Sequence, residues 1–255
     1  MKMKKMRDLL VIFLKVKEKG WVKSLRKGTT GIGYTFETLI GKNEEQFPIA
    51  DFEGIEIKVK KKYGYGNITL FNAVPDSNLF IIKRIYEKYS IFNRNMNYYK
   101  TFMLNINSIE EKKYGKHKFL LSVDDNKKIV KLNIYKLDGT PVKENISWSF
   151  NWLEEKINTK IKDLAIVKAE QKEVDGSIYY KYCYINFYEI KDMQEFINLI
   201  KQGIISVTFK ISVYCSGEKT GQMNDHGVGF IIHEKNIEKL YTKKEFEKKT
   251  TNSRF

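Results

Sequence analysis

A chain of 255 residues, 42 % apolar and 14 % aromatic, holds enough material for one large domain or two lobes and is too apolar for intrinsic disorder. The 46 Lys and Arg against 31 acidic residues leave a formal net charge of +15, which draws a polyanion or an anionic membrane surface, although the lysine excess is also what A+T-rich coding would produce. Two cysteines, Cys183 and Cys215, lie 32 positions apart with no Cys-x-x-Cys or Cys-x-x-His spacing, which argues against a zinc site or disulfide framework and for a reducing cytoplasm.

The start, MKMKKMRDLLVIFLKVKEKGW, resembles a signal peptide only at first sight. Its apolar stretch, Leu9 to Leu14, is six residues long, Lys15 and Lys17 follow, and no small-residue cleavage site appears. An amphipathic helix over residues 4–19, stopped by Gly20, is the expectation, and no run approaches the roughly 20 apolar residues of a membrane span. A basic glycine-rich loop, RKGTTGIG, precedes a helix over Tyr34 to Leu39. The strand in IADFEGIEIKVKKK, residues 49–62, and ITLFNAV beyond YGYGN read as a hairpin.

Residues 78–102 read as a helix running into an irregular stretch. Arg84, Lys88, Arg94 and Lys100 alternate there with Tyr86, Tyr89, Phe92, Tyr98 and Tyr99, which fits either a surface along a phosphate backbone or a helix with an aromatic core face. A hairpin follows over 117–138 with its turn at Asp124 to Lys127, then a helix over Trp152 to Ile161. Next come the strands DLAIVKAEQ and YYKYCYINF around Val174-Asp175-Gly176, and a helix over Met193 to Gln202. The strands ISVTFKISVYCSG and HGVGFIIHE, joined by EKTGQMND, complete an α+β pattern. No long linker divides the chain, so two interleaved lobes are expected rather than two independent domains.

Chemistry concentrates in DFEGIEIKVKKK. On a strand, residues i and i+2 share a face about 7 Å apart, so Glu56 and Lys58 project together while Ile55 and Ile57 point to a core. Asp51 stands five positions before Glu56, an offset that an unbroken strand would send to the other face; Gly54 allows the chain to turn and bring it back. Two carboxylates so placed, with the Ile57 carbonyl and waters, can hold a hard cation such as Mg²⁺, and Lys58 can orient a water or offset charge on a phosphorane. Taken alone, the motif is short enough to arise by chance in a lysine-rich chain.

The glycine segment lacks the Gly-Lys-Ser/Thr of a Walker loop, and no strand clearly precedes it as a dinucleotide fingerprint requires. However, TGIGYTFETLIG followed by ADFEGIEIKVK resembles the nuclease core shared by the mismatch-repair nicking enzyme MutH and related type II restriction endonucleases. The similarity is greatest to the MvaI/BcnI family, with RKGTTGIGYTFE, DFEGIEIK, ISWSF, YYKY and DHGVGF in the family's order over most of residues 20–235.

That resemblance implies an α+β, restriction-endonuclease-like nuclease core, a mixed sheet flanked by helices, with an interleaved recognition lobe; the expected division is a catalytic lobe over 1–110 and a recognition lobe over 111–255. It implies Asp51 and Glu56 as metal ligands with the Ile57 carbonyl, Lys58 as the catalytic lysine, Glu37 as a further acidic residue, and Mg²⁺ as cofactor. Lys27, Lys210, Asp225 and His226 are the expected DNA contacts. Lys210 stands where relatives tend to carry a base-reading arginine, and lysine cannot reproduce that residue's bidentate fork on guanine. His117 and His233 read as surface residues.

The activity implied is type II restriction of double-stranded DNA at a short C/G-rich site by a cytoplasmic monomer, with a cognate methyltransferase encoded nearby but not necessarily bound. A MutH-like strand-specific nickase, a non-catalytic DNA-binding module and a nucleotide-dependent enzyme using GTTGIG are the alternatives.

Overall fold

The structure is a computed structural model that describes residues 2–41, 51–78, 80–94 and 99–246. The chain begins α1 (Lys2–Glu18), β1 (Trp21–Lys23), α2 (Gly31–Leu39), β2 (Ile55–Lys61), β3 (Asn67–Asn72), α3 (Ile81–Tyr89), β4 (Ile91–Asn93) and β5 (Tyr99–Ile106). It continues with β6 (Lys112–Tyr114), β7 (His117–Asp124), β8 (Ile129–Lys136), β9 (Pro141–Val142), β10 (Ser147–Ser149), α4 (Phe150–Lys156) and a π-helical turn, Ile157–Ile161. The last part is β11 (Asp163–Val174), β12 (Ser177–Ile190), α5 (Met193–Lys201), β13 (Ile205–Val213), β14 (Met223–His233), a 3₁₀ turn (Glu234–Asn236), α6 (Ile237–Leu240) and β15 (Tyr241–Lys244). Among the described residues no helix is long and apolar enough to cross a membrane.

Two compact units form from alternating stretches. One comprises Met1–Gly64, Lys162–Lys191 and Tyr241–Phe255; the other, Tyr65–Ile161 and Asp192–Leu240. In the first, β1, β12, β11 and β2 lie side by side in that order, with β15 also on β12. The long β11–β12 hairpin closes through Asp175 (φ 49°) and Gly176 (φ 69°), the paired left-handed residues of a tight two-residue loop. Met6, Leu9, Phe13 and Val16 form one stripe of α1 at helical spacing and bury against Phe36, Ile55, Ile57, Val167 and Tyr182. Phe36 packs its ring 5.0 Å from that of Tyr182 and 6.3 Å from that of Phe13, which fixes α2 above the inner face of β2.

The second unit carries a sheet ordered β3, β14, β13, β5, β4 and a smaller one ordered β10, β8, β7, β6 with β9 beside β8. Its core is aromatic: Trp148 contacts Phe209 and Phe230, and donates its indole N–H to the Ala73 carbonyl at 2.8 Å.

The expected hairpin of residues 49–62 and 68–74 does not form. β2 runs parallel to β11, with Ile55 opposite Asp163 and Lys61 opposite Ala169, whereas β3 pairs with β14. Adjacent strands flanking a glycine-rich turn look like a hairpin locally, but β2 finds its partner a hundred residues downstream. The quoted strand also begins later than expected, at Ile55; residues 49 and 50 lie outside the described ones. Within 78–102 the structure gives the helix with a core face: Ile81, Ile82, Ile85 and Tyr89 are buried, while Arg84 and Lys88 pair with Glu144 at 2.9 and 2.8 Å. Strands β4 and β5 replace the irregular stretch, and Tyr98 lies outside the described residues. His117 is half-buried rather than superficial, edge-on to Tyr89 at 4.9 Å, and burial, then the Lys136 charge, lower its pKa.

Candidate active site

Phe52 and Ile55 exchange both backbone hydrogen bonds, at 2.9 and 2.7 Å, around Glu53 (φ 45°) and Gly54 (φ 92°). Two consecutive positive φ values make this a tight turn of the type that matches strand twist. Its register sets Asp51 across from Glu56, the next pair along, so the turn at Gly54 returns Asp51 to the strand. The Asp51 Oδ2 then accepts the Ile57 N–H at 2.8 Å. Among the described strands β2 has a neighbour on one side only, β11. Because N–H and C=O of one strand residue point to the same side, the Ile57 carbonyl also faces that open edge, beside Asp51.

Glu56 is 6 % exposed, and a carboxylate so buried requires a compensating charge. Lys58 supplies it: its Nζ donates to Glu56 Oε1 at 2.6 Å, while the lysine side chain stays a quarter exposed. Burial, reinforced by the charges of Glu56 and Asp163, holds the Tyr241 phenol far above its ordinary pKa. It therefore remains protonated near Glu56.

The glycine loop forms the other wall. A side chain at Gly31 would place Cβ 2.5 Å from the Arg26 carbonyl oxygen and 2.7 Å from Ser24 Oγ, so only glycine lets the loop fold against the first turn of α2. Leu25 N–H donates to Thr35 Oγ1 at 3.0 Å and Ser24 Oγ to the Arg26 carbonyl at 2.7 Å, tying the loop down. Arg26 thereby rests over the Tyr34 ring, 3.8 Å from its centroid. Arg26, Tyr34, Glu37, Asp51, Glu56 and Lys58 line one cleft of about 350 Å³, together with Ile57.

A second cleft, about 390 Å³, lies in the other unit and includes Met103, Asn105, Thr208, Lys210 and His226. Between β13 and β14 the register changes from Phe209 opposite Val228 to Ile211 opposite Asp225, so His226 and Gly227 both stand opposite Lys210. This β-bulge, with Gly227 at φ 96°, aims His226 beside Lys210. Ser212 Oγ lies 3.0 Å from His226 Nε2, and Asp225 Oδ1 accepts the Gly227 N–H at 2.8 Å. Across four strands Asn72, Gly229, Thr208 and Asn105 form a polar row on the same sheet.

The model of the MvaI/BcnI restriction endonuclease family matches residues 11–241. The chain belongs to this family. A solved structure titled "Restriction endonuclease MvaI-cognate DNA substrate complex" is 27 % identical, with a TM-score of 0.87 over 93 % of this chain and 96 % of that one. "Restriction endonuclease MvaI in the absence of DNA" is 26 % identical, with a TM-score of 0.59 over 94 % and 96 %. No curated protein matches the chain. The mixed α+β architecture, sheets flanked by helices, is the MvaI restriction endonuclease fold.

In this MvaI/BcnI chain the fold gathers Glu37, Asp51, Glu56, Ile57 and Lys58 into one cleft and Lys210 and His226 into another. Lys27 is exposed on the glycine loop and lines neither cleft; Asp225 spends a carboxylate oxygen on its own turn. His226 lies within β14 rather than at the junction of loop and strand. Sequence reasoning passed over Arg26 and Tyr241. The basic pair before Gly28 was a signal for Arg26; nothing local marks Tyr241. Among the described residues no three His, Cys, Asp or Glu converge on a metal position, so a cation here would draw on two carboxylates and a backbone carbonyl.

Proposed function

We propose that the chain is a Mg²⁺-dependent type II restriction endonuclease that hydrolyses both strands of double-stranded DNA at a short C/G-rich site, acting as a cytoplasmic monomer paired with a methyltransferase encoded nearby. The observation that carries this reading is the convergence of Asp51, Glu56 and Lys58 on one cleft of a chain belonging to a restriction endonuclease family. Asp51, Glu56 and the Ile57 carbonyl offer the all-oxygen donors that suit a hard divalent cation. When bound, that ion supplies an acidified water and charge neutralisation at the leaving oxygen.

The chain's own groups do the rest. Lys58 keeps a positive charge beside Glu56, where it offsets negative charge growing on the phosphorane as a water oxygen bonds to phosphorus. The P–O3′ bond breaks, the 3′ oxygen takes a proton, and the attacking water loses one, leaving 5′-phosphate and 3′-hydroxyl ends. Arg26, braced on Tyr34, faces the same cleft as a guanidinium suited to a phosphate oxygen. Glu37 assists from α2, and Lys27 meets the DNA backbone. Recognition falls to the Lys210 and His226 cleft and the neighbouring Asp225.

Supercoiled plasmid incubated with protein in Mg²⁺ or EDTA tests this. The expected result is linear product in Mg²⁺ alone; open circles that never become linear would favour the MutH-like nickase, and binding without cutting in either condition would favour a non-catalytic module.

A further inference from the structure

The lysine run of β2 does not end in the active-site cleft. Lys58 and Lys60 occupy alternate positions on the face of Glu56, about 7 Å apart, and Lys62, one residue past β2 with its N–H still bonded to the Ala169 carbonyl at 2.7 Å, continues the row. The lining of the first cleft stops at Val59, and a second cleft of the same unit, about 440 Å³, begins two residues on, at Lys61. Lys61, Lys62, Trp21, Tyr63 and Gln171 line it. Across the sheet one row reads Trp21, Lys181, Glu170, Lys62, in which Glu170 pairs with Lys62 at 2.6 Å. Lys172 adds a further cation, 4.5 Å over the Trp21 ring. None of the residues lining this second cleft lines the first.

We infer that the edge of β2 beyond Lys58, with the cleft of Trp21, Lys61, Lys62 and Tyr63, is a track for the phosphate backbone of duplex DNA flanking the cleavage site. This rests on the reading of the neighbouring cleft as the hydrolytic centre, because the track begins where that cleft ends. A duplex backbone suits the spacing: lysines on one face of a strand recur about every 7 Å, close enough for successive lysines to meet neighbouring phosphates over a short distance. Lys172 lies 4.5 Å over the Trp21 ring and Lys62 5.0 Å over that of Tyr63, which places ammonium groups suited to phosphates beside both aromatics.

The test compares Lys61→Gln/Lys172→Gln with the wild type on two duplexes of one sequence, one just spanning the cleaved site and one extended by two helical turns on each side, in Ca²⁺. Both lysines are exposed, so the fold should survive. The wild type should bind the long duplex more tightly, the double variant should lose that excess, and the slope of log K against log salt on the long duplex should fall by about 2. Lys61→Arg/Lys172→Arg should restore it. An unchanged length dependence in the Gln variant, or equal losses on both duplexes, overturns the track. Failure of the wild type to cut DNA in Mg²⁺ would instead strike the hydrolytic reading, since length-dependent binding is measured without cleavage.

Discussion

The cleft around Lys58 and the cleft around Lys210 are assembled in opposite ways. In the first, Asp51, Glu56 and Lys58 lie within eight consecutive residues, and a two-residue turn plus the pleat of β2 set their geometry. In the second, Lys210 and His226 come from different strands and meet because a one-residue slip in the β13–β14 ladder aims His226 at Lys210, while Met103 and Asn105 arrive on β5. The first concentrates charge, with three carboxylates, a lysine and an arginine; the second is mostly neutral, with one lysine and one imidazole. The fixed charges of the first are written locally, whereas the mostly neutral surface of the second depends on long-range register.

If that contrast holds, substitutions in the first cleft should stop turnover without loss of binding. Asp51→Ala and Lys58→Ala should each lower the single-turnover cleavage rate on the order of 1,000-fold, with Ca²⁺-supported binding retained, and Glu37→Ala should cost less. Cleavage by Asp51→Ala near the wild-type rate would remove Asp51 from the metal assignment. In the second cleft the largest effect should come from the backbone. Gly227→Ala puts a Cβ at φ 96°, only 3.0 Å from the Asn72 amide, and should destabilise the protein by about 1–3 kcal/mol in chemical denaturation while eroding discrimination between matched and mismatched duplexes.

Lys210→Ala should leave the fold intact and narrow the gap between cognate and single-mismatch duplexes by roughly 1–3 kcal/mol in competition at fixed salt. Equal losses on both duplexes would move Lys210 from base readout to backbone positioning. The smallest effect should be Glu144→Gln, which touches neither cleft. Burial works to raise the Glu144 pKa, but hydrogen bonds from Lys88, Arg84 and Tyr89 together hold it below its ordinary 4.5. A depressed folded pKa contributes stability that is present above about pH 4.5 and lost as pH falls through the folded value. Thermal unfolding of Glu144→Gln should therefore fall less steeply on acidification, with cleavage at neutral pH unchanged.

Period and turn chemistry made most elements legible. The β7–β8 and β11–β12 hairpins and α5 announce themselves by alternation, an Asp-Gly turn, or apolar spacing, because those signals act between near neighbours. The same locality explains the failure at β2 and β3, where two strands adjacent in sequence belong to different sheets. Short strands such as β1 and β15 carry too few residues for any period to register. In the cleft of Asp51 and Lys58, alternation placed Glu56 with Lys58 and Gly54 marked the turn for Asp51. Arg26 escaped because its position depends on its own contact with Tyr34 and on the Leu25 hydrogen bond to Thr35, which only a folded α2 provides, and Tyr241 because it enters from the far end of the chain.

Beyond the Phe52 bridge, the edge of β2 that no other described strand covers has a consequence for solubility. An unprotected edge strand invites a second copy of the chain to continue the sheet, and proteins resist this with charged side chains and with groups that occupy the free backbone donors. Here the Asp51 carboxylate occupies the Ile57 N–H, and Lys58, Lys60 and Lys61 crowd the rest of the strand with like charge. The charged residues that crowd this edge thus also keep it from acting as a template for aggregation, and a variant stripped of them presents a strand ready to pair.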